Sequence, residues 1–86
     1  MKIPADSITN QNAMQIVQAG NAAIQSGDAV IDLSGVRRCD TAAVACVLSW
    51  RRLARLTNTR LQLIALPEDL RSLANLYGVQ ALVDGV

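Results

Sequence analysis

The chain has no histidine. That removes the commonest general base of enzyme active sites and the commonest zinc ligand together. It also lacks a glycine-rich phosphate loop and any pair of carboxylates at a cleft-like spacing. Isolated acids and hydroxyls are then all that is left for chemistry, and no enzyme, cofactor or metal is expected. Two cysteines, Cys39 and Cys46, are present. Their spacing suits neither a metal site nor an evident disulfide framework, so they read as buried small hydrophobes of a cytoplasmic protein. Arg38 beside Cys39 is the one feature that favours a reactive thiolate. No apolar run approaches the roughly 18 residues needed to cross a bilayer, and MKIPADSITN has no hydrophobic stretch of the secretory kind. A net charge of +1 argues against electrostatic nucleic-acid binding as the main task.

What the chain has is apolar residues in regular patterns. Eighty-six residues, 51% of them hydrophobic, fit one small domain over residues 1–86 with one core and little stability to spare. Residues 1–3 suit a very short strand before Pro4. Over residues 10–26, Ala13, Ile16, Val17, Gly20, Ala23 and Ile24 share a helical stripe, while Gln11, Gln15, Gln18, Asn21 and Gln25 form a wet opposite face. Ser26-Gly27-Asp28 stops this helix. Residues 29–33 read as a buried strand and residues 41–55 as a second helix, broken by Leu56-Thr57-Asn58-Thr59. A second apolar strand follows at 60–66, with Leu61, Leu63 and Ala65 facing one way and Ile64 and Leu66 the other, a pattern that suits a central position. Pro67-Glu68-Asp69 opens a third helix with the stripe Leu70, Leu73, Ala74 and Tyr77, and Gly78 fits just past its end. Residues 79–83 suit a last strand or a docked tail. Two parallel strands joined through a helix imply a right-handed crossover, hence a small α/β sandwich of sheet and helices.

The corner between the first buried strand and the second helix carries the functional signal. A tight Ser34-Gly35 turn leads to Asp40-Thr41 at the start of an alanine-rich helix. Unpaired N–H groups and a partial positive charge gather at such a start and favour an anion or a hydrogen-bonded partner. Asp40 is the expected helix cap. Thr41 is either a first-turn polar residue of no consequence or a hydroxyl that receives a partner or a phosphate.

The run I-D-L-S-G-V-x-R-x-D-T-A-A, followed by an apolar helix, resembles the core signature of STAS domains, the fold of anti-sigma-factor antagonists. A D-[ST]-x-[GA] motif sits at this corner in that family, with its hydroxyl residue facing the partner protein; Asp40, Thr41 and Ala43 match it. The run Leu73-Ala74-Asn75-Leu76-Tyr77-Gly78-Val79 is similar to the L-A-x-L-Y-x-[LV] ending of MlaB-type proteins, the small cytoplasmic STAS subunits of the Mla phospholipid ABC transporter of Gram-negative bacteria. The resemblance covers roughly residues 5–82. It implies a small STAS-like α/β sheet of mixed strands with helices packed mainly on one face. STAS domains usually begin with two strands before the first helix, and this chain has room for about one. The N-terminal strand region is therefore expected to be shortened, its sheet edge open to pairing, including with a second copy of the chain.

For function, the resemblance implies a docking module that binds and regulates the ATPase subunit (MlaF-like) of an Mla-type transporter maintaining outer-membrane lipid asymmetry, held peripherally at the inner membrane through that partner. The contact surface is expected at Asp40 and Thr41 and on the face carrying Ala45, Ser49 and Arg52, where small residues let a partner helix approach. Trp50 and Leu76 either complete the core or anchor a partner. Arg37, Arg38, Arg51, Arg52 and Arg55 form a local excess, read as a solvated face or a rim that pairs with a partner's acids. The alternative is an anti-sigma-factor antagonist or related partner-switching regulator, in which phosphorylation of Thr41 adds a charge of roughly −1.5 to −2.

Overall fold

A computed structural model describes residues 1–76. The elements in chain order are β1 (Ser7–Ile8), α1 (Ala13–Gln25), β2 (Val30–Asp32), β3 (Arg38–Cys39), α2 (Thr41–Leu56), β4 (Gln62–Ile64) and α3 (Glu68–Leu76). Two parallel ladders form, β1 with β3 and β2 with β4. All described pairings are parallel, so the mixture of strand directions expected from the resemblance does not appear among the described residues. The α/β class itself holds. The expectations for Tyr77, Gly78 and the tail at 79–83 lie outside the described residues.

Local chemistry, of backbone and side chain, marks where α1 starts and stops and where α3 starts. Asn12 precedes α1 and ties it to β1: its Oδ1 accepts from Thr9 N at 2.9 Å and its Nδ2 donates to Ser7 O at 2.8 Å. At the other end Gly27 takes φ 94, a left-handed conformation open to glycine without a Cβ penalty, and Asp28 N bonds Ala23 O at 2.9 Å. Of the expected stripe, α1 buries Ile16, Gly20, Ala23 and Ile24 and leaves Ala13 and Val17 half-buried, the helix packing against α2. Pro67 stands just before α3 and its carbonyl accepts from Leu70 N and Arg71 N, while Glu68 and Asp69 occupy the first turn.

The strands depart further from the sequence pattern than the helices do. β1 and β3 were not expected, because two-residue strands carry no periodicity. Residues 1–3 do lie beside β2, through a parallel bridge between Lys2 and Asp32, with Ile3 N donating to Asp32 O at 2.9 Å and Asp32 N to Met1 O at 2.8 Å. The chain therefore enters α1 after two extended segments, the first of them lying along β2. β4 is shorter than residues 60–66 because Ala65 turns to φ 55 and leaves the strand. Its burial is one-sided: Leu61 and Leu63 are buried, whereas Gln62 and Ile64 are exposed. Val30 and Asp32 in β2 pair with Gln62 and Ile64, so one sheet face carries the core and the other carries these four residues. Helices lying mainly on one face follow from that asymmetry, and the central, two-faced position inferred for the strand does not hold among the described residues.

One cluster of buried residues joins the sheet to all three helices, including Ile3, Ile31, Leu33, Val47, Trp50 and Leu70. Its most consequential effect is to set the rotation of α2. Ala43, Val44, Cys46, Val47, Trp50 and Ala54 face inward, and the remaining residues of that helix form the surface considered next.

Candidate functional site: the α2 corner and its outer face

The corner is built by backbone pairing and closed by one carboxylate. Asp32 Oδ1 accepts from Ser34 N at 2.8 Å and Val36 N bonds Leu33 O at 3.0 Å, which shapes the Ser34-Gly35 turn. Val36 is then buried as an anchor, and Arg37 N donates to Asp6 O at 2.7 Å. The chain passes along β1 as β3, and Asp40 N bonds Ile8 O at 3.1 Å. Asp40 takes an extended conformation and its Oδ1 accepts from Ala42 N at 2.8 Å. This is the capping role expected of it, satisfying an N–H that the helix itself cannot pair.

Thr41 follows immediately as the first residue of α2, and it is exposed. Its side chain makes no hydrogen bond among the described residues, so its hydroxyl points no claim at the fold. α3 approaches from the side: Asp69 Oδ2 lies 3.5 Å from Cys39 N. The Asp40 carboxylate, which caps the helix through Ala42 N, directly precedes this hydroxyl in the chain.

Along the helix, Ala45 and Arg52 are exposed and Ser49 is half-buried. Trp50, contrary to its expected place on the contact surface, is 0% exposed, and its Nε1 donates to Val17 O at 3.1 Å, so it belongs to the core contact between α2 and α1. The reason is rotational: Trp50 follows Cys46 and Val47 on the inward side, and an indole there finds both an apolar pocket and an acceptor. Leu76 has the opposite fate, at 76% exposed on the last turn of α3, and it lines neither of the grooves described below.

Two grooves flank the outer face of α2. One, of about 330 Å³, runs between the first halves of α1 and α2 beside Ala45, walled by Asn10, Ala13, Met14 and Val17 on one side and Ala42 and Cys46 on the other. Sequence reasoning missed Met14, which is 72% exposed; the available signal was an apolar residue standing off the α1 stripe. The other groove, of about 270 Å³, lies toward the C-terminal end of α2 and is walled by Leu48, Arg51, Arg52, Arg55 and Leu56. The arginine excess therefore divides. Arg51, Arg52 and Arg55 gather here, whereas Arg37 and Arg38 are not among the residues lining this groove.

Neither cysteine is an activated nucleophile. Burial pushes the Cys39 thiol up to about 11, reinforced by the Asp69 and Asp40 charges, and burial likewise raises Cys46 to about 11. Arg38 does not offset these effects, and a neutral thiol is a poor nucleophile. Cys46 is instead a core residue, its Sγ 3.7 Å from Ala13 O. No helix among the described residues is long and apolar enough to cross a membrane.

A family model described as Mlab, STAS domain matches residues 5–84. The chain belongs to this family. The match spans nearly the whole sequence and includes the Asp40-Thr41 corner, where the STAS signature was read, and the run from Leu73, where the MlaB-type likeness was read. No curated protein and no solved structure matches this chain significantly. As a STAS domain of the MlaB type, the protein carries the family's general capacity for protein–protein interaction on a small α/β scaffold.

Proposed function

We propose that this MlaB-type STAS protein is a non-catalytic accessory subunit that docks on, and regulates, the ATPase of an Mla-type phospholipid ABC transporter. In that role it sits in the cytoplasm, peripheral to the inner membrane through its partner, and supports outer-membrane lipid asymmetry. The observation that carries the reading is Thr41: an exposed hydroxyl, uncommitted to the fold, at an Asp40-capped helix start in a chain of this family. From it the face of Ala45, Ser49 and Arg52 continues along α2, with Asp40 at its head. Small residues near the corner leave room for a partner helix, and the Met14 side of the adjoining groove widens the surface that such a helix would cover.

The test is capture from a lysate of the source cell with wild type and with Thr41→Glu. An acid at a helix start is tolerated by the dipole, so the variant keeps its fold. In a dry interface the buried, unpaired carboxylate costs roughly 3–5 kcal/mol, enough to release the partner. An ABC-type ATPase retained by wild type and lost from a folded variant supports the docking role. Unfolding of the variant removes Thr41 from the interface and assigns it to packing.

The exposure of Thr41 also favours a second reading, partner switching by phosphorylation. A phosphate there would stand next to the Asp40 carboxylate and expel a bound partner by like-charge repulsion. Retention of a kinase-like anti-sigma factor in place of the ATPase selects this alternative.

A further inference from the structure

The groove at the C-terminal end of α2 sets the exposed guanidinium groups of Arg52 and Arg55 beside apolar surface. Three arginines fall within residues 51–55, and no acid occurs anywhere from Thr41 to Leu56. Arginines in a last turn commonly cap the helix carbonyls, but here that task is already done. Thr57 N and Thr57 Oγ1 each donate to Leu53 O at 2.9 Å, Thr59 N donates to Ala54 O at 2.8 Å, and Asn58 N closes on Arg55 O. Among the described residues neither Arg52 nor Arg55 makes an ion pair. Leu56 stands 78% exposed beside them, and Leu48 completes an apolar wall.

We propose that this groove seats an acidic amphipathic segment of the protein's partner, one apolar side chain lodging between Leu48 and Leu56 while flanking carboxylates engage Arg52 and Arg55. The inference rests on the docking reading of α2 and extends it to the far end of the same helix. A guanidinium presents a planar fork that matches a carboxylate, and an apolar anchor ringed by charge pairs is how compact interfaces gain both affinity and register. The volume of about 270 Å³ takes one or two side chains, the scale of a peptide contact. Anionic membrane surfaces are served by clusters of about 4–8 basic residues, more than this groove holds. Nucleic acid calls for a strongly basic domain and stacking aromatics; the net charge here is +1 and Trp50 is wholly buried.

The experiment is a resonance titration of the isotope-labelled full chain with three probes: an amphipathic helical peptide of leucine, alanine and glutamate, the same peptide with glutamine for glutamate, and phosphatidylcholine vesicles containing phosphatidylglycerol. The glutamate peptide is expected to move the amides of residues 48–57, and the glutamine peptide to bind about tenfold more weakly. The double variant Arg52→Glu, Arg55→Glu loses the response, whereas Thr41→Glu keeps it. Equal binding of both peptides, or no response to either, overturns the proposal even if the ATPase is still captured through Thr41. A response of residues 48–57 to the vesicles alone overturns it in favour of a lipid contact. A peptide response without ATPase capture overturns only the transporter reading and leaves the acidic-segment site standing.

Discussion

Gly20 and Trp50 share one space. A Cβ built on Gly20 of α1 would overlap the indole Nε1 and Cε2 of Trp50, while Nε1 bonds Val17 O one turn earlier. Helix propensity alone makes alanine better than glycine by roughly 1 kcal/mol. The packing term opposes it, because the indole is 0% exposed and held by its hydrogen bond. Gly20→Ala is therefore expected to destabilise the fold by about 1–3 kcal/mol net, read as a lower urea midpoint. A stabilised variant would show that α1 and α2 can move apart without cost.

Asp40 is expected to act on stability through its cap alone. Asp40→Ala exposes the Ala42 N–H and costs about 1 kcal/mol, whereas Asp40→Asn, which keeps an acceptor, loses a few tenths at most. Denaturant melts of the two variants separate capping from charge. An equal loss in both would mean that the carboxylate charge matters beyond the hydrogen bond.

The third helix offers a contrast between neighbouring leucines. Its stripe marked both Leu70 and Leu73 as buried; Leu70 is at 0% exposure, whereas Leu73 is only half-buried. Leu70→Ala is expected to cost about 2–5 kcal/mol and Leu73→Ala distinctly less, about 1–2 kcal/mol. For so small a protein the first loss approaches the whole stability. Thermal unfolding of both variants gives the order directly.

The thiols predict a loss of stability in base. Folding raises Cys46 and Cys39 from the usual 9.0 to about 11. Below pH 9 both folded and unfolded chains keep these protons, and the thiols add no pH dependence. Between pH 9 and pH 11 the unfolded chain has released protons that the folded chain still binds, so stability falls as pH rises. The fall is at most about 2–3 kcal/mol for Cys46, and smaller for the half-exposed Cys39 after solvent screening. Cys46→Ala should flatten the decline, whatever it does to stability at neutral pH. An unchanged slope would assign the alkaline loss to other groups.

Much of this protein was legible locally. Ser34-Gly35, Asp40, Gly27 and Pro67 punctuate the chain through their own backbone and capping chemistry, which acts within a few residues, and the structure places each where the sequence implied. The stripe of α1 and the corner signature of the family were readable for the same reason. Tertiary structure decided the rest. The pairing of Ser7–Ile8 with Arg38–Cys39 depends on a partner some thirty residues away, and a two-residue strand has no period to announce it. Trp50 and the arginines that follow it lie on adjacent helix positions, so only the rotation of α2 against α1 determined that the indole goes inward while Arg52 stays at the surface. β4 shows the same limit: Ile64 and Leu63 are equally apolar, and which of them meets the core depends on the layer that lies across the sheet. Local chemistry sets where elements start and stop; which of their faces is buried depends on what folds against them.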